Sequence, residues 1–128
     1  MNKTRFQNLA PSDFLEKSQQ QTESILIDVR TPNEYQTFCL EEAENIDIKN
    51  VDFEEEIEEL DKDKHYFVYC SLGIRSVNAC NYMAVQGFKN LYNLKGGLAA
   101  LETASNPKKW KSKPEQTFKL AYSYCSLS

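Results

Sequence analysis

The residues best suited to chemistry in this 128-residue chain stand together at Cys70-Ser71-Leu72-Gly73-Ile74-Arg75-Ser76. Cysteine acts as a nucleophile through its thiolate, and its surroundings decide how well that anion is held. His65-Tyr66-Phe67-Val68-Tyr69 precedes the cysteine; aromatic and β-branched, it reads as a buried strand. Ser76 to Gln86 reads as a helix, with Ala79, Cys80 and Met83 as its apolar stripe and Gly87 as its stop. Cys70 is therefore expected where a strand ends and a tight loop enters a helix. In such a place loop N–H groups converge on an anion, and the helix dipole favours negative charge. Arg75 adds a fixed positive charge five residues on. The chemistry implied is attack by sulfur.

The rest of the chain supplies the elements that must position this loop. Phe6 to Leu9 reads as a short first strand, and Pro11 suits the first turn of a helix through Ser18 with Phe14 and Leu15 as core contacts. Ile25-Leu26-Ile27 with Val29 is apolar on both faces, as a central parallel strand is. Asp28-Val29-Arg30 ends it. Thr31-Pro32-Asn33-Glu34 then carries an N-cap, a proline at the first helical position and an acid that closes a capping box. Ile46-Asp47-Ile48 is expected as another strand, and Asp52 as the cap of a helix bearing Phe53, Ile57 and Leu60. Leu91 to Leu94 makes the last strand, and Lys95-Gly96-Gly97 turns the chain into a short helix from Leu98 to about residue 103. Strands alternating with helices predict a parallel α/β sheet, with ligands at the carboxyl ends of its strands. Asp28, Arg30 and Cys70 all lie at such ends.

Composition narrows the class. A hydrophobic fraction of 41% and an aromatic fraction of 12% fit a soluble globular chain able to build one core. No apolar run is long enough to span a membrane, and no apolar stretch follows Met1-Asn2-Lys3-Thr4-Arg5, so a cytoplasmic location is expected. Cys39, Cys70, Cys80 and Cys125 contain no C-x-x-C pair, and His65 is the single histidine; no metal is expected. Residues 41–63 hold twelve acidic and two basic side chains, whereas residues 105–128 hold five lysines and one glutamate. These blocks read as solvated surfaces, with docking of the basic tail as the alternative. Trp110 among Lys108, Lys109 and Lys111 raises nucleic acid as a ligand, but overall acidity and the lack of an RNA-binding motif argue against it.

Four segments in order carry a resemblance to a known family. They are Asp28-Val29-Arg30 with Glu34-Tyr35, Ala43-x-Asn45-Ile46, the loop Cys70-x-x-Gly73-x-Arg75-Ser76, and Gly87-Phe88 through Asn93-Leu94 to Gly96-Gly97. The chain resembles a single rhodanese-like sulfurtransferase domain over roughly residues 5–104. The resemblance implies a central, mostly parallel five-stranded sheet flanked by helices on both faces. It divides the chain into a domain over residues 1–104 and a basic extension over residues 105–128. It also implies a mechanism. The Cys70 thiolate would take the outer sulfur of thiosulfate or of a persulfide and pass it to a thiol or protein acceptor, by double displacement and without a cofactor. Ser71, Leu72, Gly73, Ile74, Arg75 and Ser76 would form the substrate-binding loop, with Asp28 and Arg30 as its support. Arg75 would bind an anionic donor or brace the loop. Cysteine-dependent phosphatases hold one residue more between cysteine and arginine, so this tighter ring suits a sulfur atom better than a phosphate.

The departures from the family pattern also carry information. Phe38-Cys39-Leu40-Glu41-Glu42-Ala43 stands where the family usually has two glycines and a histidine. Leu72 and Ile74 are apolar where many active members carry a basic side chain, which would disfavour capture of free thiosulfate. Cys80 is expected in the core, and Cys39 in packing or as a resolving thiol. The alternative to an enzyme is a non-catalytic rhodanese-like module for protein binding or regulation. Loss of the loop cysteine is its usual sign, and Cys70 is present.

Overall fold

The computed structural model describes residues 5–104. Strands and helices alternate along them: β1 (Gln7–Leu9), α1 (Pro11–Gln20), β2 (Ser24–Asp28), α2 (Pro32–Thr37), β3 (Glu44–Asn45), α3 (Phe53–Glu58), β4 (His65–Tyr69), α4 (Ile74–Val85), β5 (Asn90–Leu94) and α5 (Gly97–Ala104). The five strands form one sheet in the order β1-β5-β4-β2-β3, and every pairing is parallel. The expected "mostly parallel" sheet is thus wholly parallel among the described residues.

Side-chain alternation on the strands divides the core into two layers. Ile27, Val29, Tyr66, Val68 and Leu91 pack with Phe53 and Ile57 of α3 and with Ala79, Cys80 and Met83 of α4. Phe67, Tyr69, Tyr92 and Leu94 pack with Phe14 of α1, Tyr35 of α2 and Leu101 of α5. The central strand β4 feeds both layers, which is why it is apolar without alternation. Aromatic contacts stiffen the second layer: the Phe67 and Tyr92 rings stack 4.3 Å apart, and Phe14 meets Phe67 edge-on. His65 lies at the amino end of β4, away from Cys70, and its Nδ1 is 2.8 Å from the Tyr92 hydroxyl.

Three expectations shift. The strand placed at Ile46–Ile48 is Glu44–Asn45, because the Asn45 side chain donates to the Asp28 and Arg30 carbonyls and sets the register with β2. Ile46 then turns into the core. Asp52 does not cap α3 with its side chain; Asn50 organises that turn instead, its Oδ1 accepting from Asp52 N at 2.7 Å. Helix α4 begins at Ile74 rather than Ser76, so Arg75 and Ser76 lie inside its first turn.

Candidate functional site

Cys70 follows the last residue of β4, and alternation aims its side chain at the α4 layer. The chain then turns at Gly73, which holds φ at +92° as the N-cap of α4. That left-handed conformation is open to glycine and strained for other side chains. The turn brings donors back onto the sulfur. Sγ accepts from Gly73 N at 3.1 Å and from Ser76 N at 3.3 Å, and the Ser76 hydroxyl lies 3.3 Å away. The residue is 1% exposed. Converging donors at a helix N-terminus are an arrangement that holds a sulfur anion. Of the loop residues named from sequence, Gly73 and Ser76 meet the Cys70 sulfur, while Leu72 and Ile74 face solvent.

The loop is held from outside by α5. Leu98 N donates to Cys70 O and Ala99 N to Ser71 O, each at 3.0 Å. Gly97 makes this approach feasible: a Cβ there would stand 2.4 Å from Ser71 O. Gly97 lies at φ +70° and Gly96 at φ +78°, so the double glycine serves both the turn and the close contact.

Behind the loop, Arg30 Nη2 bonds Asp28 Oδ2 at 2.7 Å, and Arg30 Nε bonds Oδ1 at 3.0 Å. Both residues are buried. The pair is completed by Arg30 N on Asp28 Oδ1 and by Nη2 on the Phe38 carbonyl. Burial pushes the Tyr69 hydroxyl well above its usual range, and Asp28 adds to the shift. The hydroxyl stays neutral and accepts from Leu40 N at 3.0 Å. Asp28 and Arg30 thus form a buried, hydrogen-bonded pair within a polar cluster at the strand ends.

Arg75 does not point into the ring. Its guanidinium forks onto Glu34, Nη1 to Oε1 at 2.8 Å and Nη2 to Oε2 at 3.1 Å. The pairing ties the first turn of α4 to Glu34 of α2. The same Glu34 carboxylate closes the capping box with Thr31. The Arg75 hydrogen bonds, opposed in part by burial and aided by Thr31, hold the Glu34 carboxyl at about 2.

Known proteins share this architecture. A family profile for the rhodanese-like domain matches residues 11–104. The chain belongs to the rhodanese-like family. YtwF of Bacillus subtilis, named as a sulfurtransferase, is 41% identical over 93 residues, spanning 73% of this chain and 87% of that protein. The tRNA uridine(34) hydroxylase of Cytophaga hutchinsonii is 35% identical over 94 residues, 71% of this chain but only 30% of that protein. A rhodanese-related protein from Thermoplasma volcanium superposes with a TM-score of 0.67, covering 80% of this chain and 96% of that one at 24% identity, which speaks to fold alone.

Within this rhodanese-like domain the remaining cysteines separate by location. Cys80 lies in the α4 layer; burial pushes its thiol up to about 12. Cys39 is buried in the layer on the opposite face of the sheet from Cys70. Cys125, Trp110 and the basic tail lie outside the described residues. Among the described residues, no group of three or more His, Cys, Asp or Glu could hold a metal ion, and no helix is long and apolar enough to cross a membrane.

Sequence reasoning left out the second task of Glu34 and the clamp from α5. Glu34 had a sufficient local explanation as a cap, so nothing pointed to a partner 41 residues away. The adjacent glycines 96 and 97 did carry a signal, since two together indicate backbone approach as well as a turn.

Proposed function

We propose that this rhodanese-like domain is a sulfurtransferase that carries sulfur as a persulfide on Cys70. The observation that carries the reading is the cradle around Sγ: the Gly73 and Ser76 N–H groups and the Ser76 hydroxyl, all within 3.3 Å. A thiolate held there attacks the outer sulfur of thiosulfate or of a persulfide. One S–S or S–SO3 bond breaks, a new bond forms between Cys70 Sγ and the transferred sulfur, and sulfite or a thiolate leaves with the electron pair. An acceptor thiolate then takes the outer sulfur and regenerates Cys70. The leaving groups depart as anions, so the step needs no general acid. The loop N–H groups stabilise the anionic persulfide as an oxyanion hole stabilises its oxyanion.

The similarity to YtwF supports this reading. The hydroxylase activity of the tRNA-modifying relative is not carried over, because the matched region is under a third of that protein. The test is the intact mass of the full chain after brief treatment with thiosulfate or with a persulfide donor, beside Cys70→Ser. The expected result is a gain of one sulfur atom in the parent, reversed by cyanide or dithiothreitol and absent from the variant. No gain with any donor, in reduced protein, overturns the enzyme and leaves a binding module.

A further inference from the structure

The charge and exposure at the mouth of the loop bear on which sulfur donor it accepts. From Cys70 to Arg75 the loop contains one charged side chain, Arg75. Both of its terminal nitrogens are committed to the two carboxylate oxygens of Glu34. The loop therefore presents a neutralised cation. Thiosulfate is a dianion and expels another, sulfite, so its capture gains most from an unpaired positive charge beside the sulfur. The side chains that do face outward here are apolar. Leu72 is 64% exposed and Ile74 is 67% exposed, on either side of Gly73, whose N–H touches Sγ. Among the described residues only four large hydrophobic side chains are this exposed, and two of them are in this loop. Such a concentration beside a reactive atom suits contact with an uncharged organic group.

We infer that Leu72 and Ile74 are specificity-determining residues that select an organic persulfide, R–S–SH, over thiosulfate as the donor to Cys70. The inference rests on the persulfide reading above. In the step, the Cys70 thiolate attacks the terminal sulfur of the neutral R–S–SH. The donor S–S bond breaks, the Cys70 Sγ–S bond forms, the proton stays on the transferred sulfur, and R–S⁻ leaves with the bonding electrons. No oxidant or reductant is consumed. The R group is what Leu72 and Ile74 contact, and thiosulfate has no such group to offer. A small-molecule persulfide and a protein-borne persulfide share this chemistry.

The experiment measures kcat/KM for sulfur loading of the full chain, read by intact mass, with three probes. These are thiosulfate, cysteine persulfide, and a short peptide persulfide whose cysteine is flanked by leucines. The same probes are run on Leu72→Ala, Leu72→Lys and Ile74→Lys. All three substitutions fall on exposed side chains, where the fold tolerates change, and a thermal melt checks each. The parent is expected to load from a persulfide at least tenfold faster than from thiosulfate. Either lysine should narrow that ratio by roughly tenfold, chiefly by raising the thiosulfate rate. Leu72→Ala should cut the rate with the leucine-flanked peptide by roughly tenfold. A faster peptide indicates a protein-borne donor, and a faster cysteine persulfide a small one; both outcomes support the class. Equal or faster loading from thiosulfate in the parent overturns the inference while leaving the enzyme intact. So does a ratio unmoved by both lysines. Failure of every probe to load Cys70 removes the persulfide reading itself.

Discussion

Arg75 and Glu34 are 41 residues apart in sequence and meet through two hydrogen bonds of 2.8 and 3.1 Å. The carboxylate that receives them also caps α2 through Thr31. The first turns of α2 and α4 are therefore locked together through one side chain, and the Cys70 loop is anchored at its exit.

Its ionisation predicts a pH dependence. The Glu34 carboxyl sits at about 2 in the folded chain against a reference of 4.5. A depressed carboxyl stabilises the fold above its unfolded value and loses that contribution as pH falls through the folded one. Glu34→Gln keeps a residue that can close the capping box but removes the charge. Urea unfolding should show the variant less stable by up to about 1 kcal/mol near neutral pH, the pair being partly exposed. The gap should close between about pH 4.5 and pH 2. A gap that persists at pH 2 would mean that the charge is not what matters.

Gly97→Ala should damage the loop rather than only α5. The residue has φ +70°, and the added methyl would fall 2.4 Å from Ser71 O. Backbone strain of this kind costs about 1–3 kcal/mol, and displacing the loop should slow sulfur loading by about a hundredfold. Gly87→Ala is the matched control. It has φ +101°, but its nearest contact is the Lys62 side chain at 3.7 Å. That variant should lose stability and keep its loading rate.

Asp28→Asn should be the most destabilising of these changes. It leaves the buried Arg30 guanidinium without its carboxylate, and breaking a buried pair from one side costs about 3–5 kcal/mol. Urea denaturation at neutral pH measures the loss, which should far exceed that of Glu34→Gln.

Cys80 should resist alkylation as long as the chain is folded. Its thiol is buried and pushed up to about 12, so at pH 8 it remains protonated and covered. Peptide mapping after iodoacetamide should find Cys80 modified only in the presence of denaturant. Labelling in the native protein would show that the α4 layer opens.

Local patterns carried much of this protein. The buried strand before Cys70, the turn at Gly73, the helix with Ala79, Cys80 and Met83, and the Thr31–Glu34 capping box are interactions between residues a few positions apart. Periodicity and spacing report such interactions directly. The alternation of elements likewise implied the parallel sheet, and four ordered motifs implied the family. The strand at Glu44–Asn45 was placed two residues late. Its register depends on Asn45 reaching the carbonyls of Asp28 and Arg30, a contact across the sheet that the apolar pair Ile46 and Ile48 does not announce. The tertiary structure alone decided that Arg75 turns to Glu34 instead of into the ring, and that α5 clamps the loop through Leu98 and Ala99. It also decided that Cys39 and Cys70 fall on opposite faces of the sheet. These are contacts between distant segments. They are settled by how the layers pack, and residue types at fixed spacing do not encode them one by one.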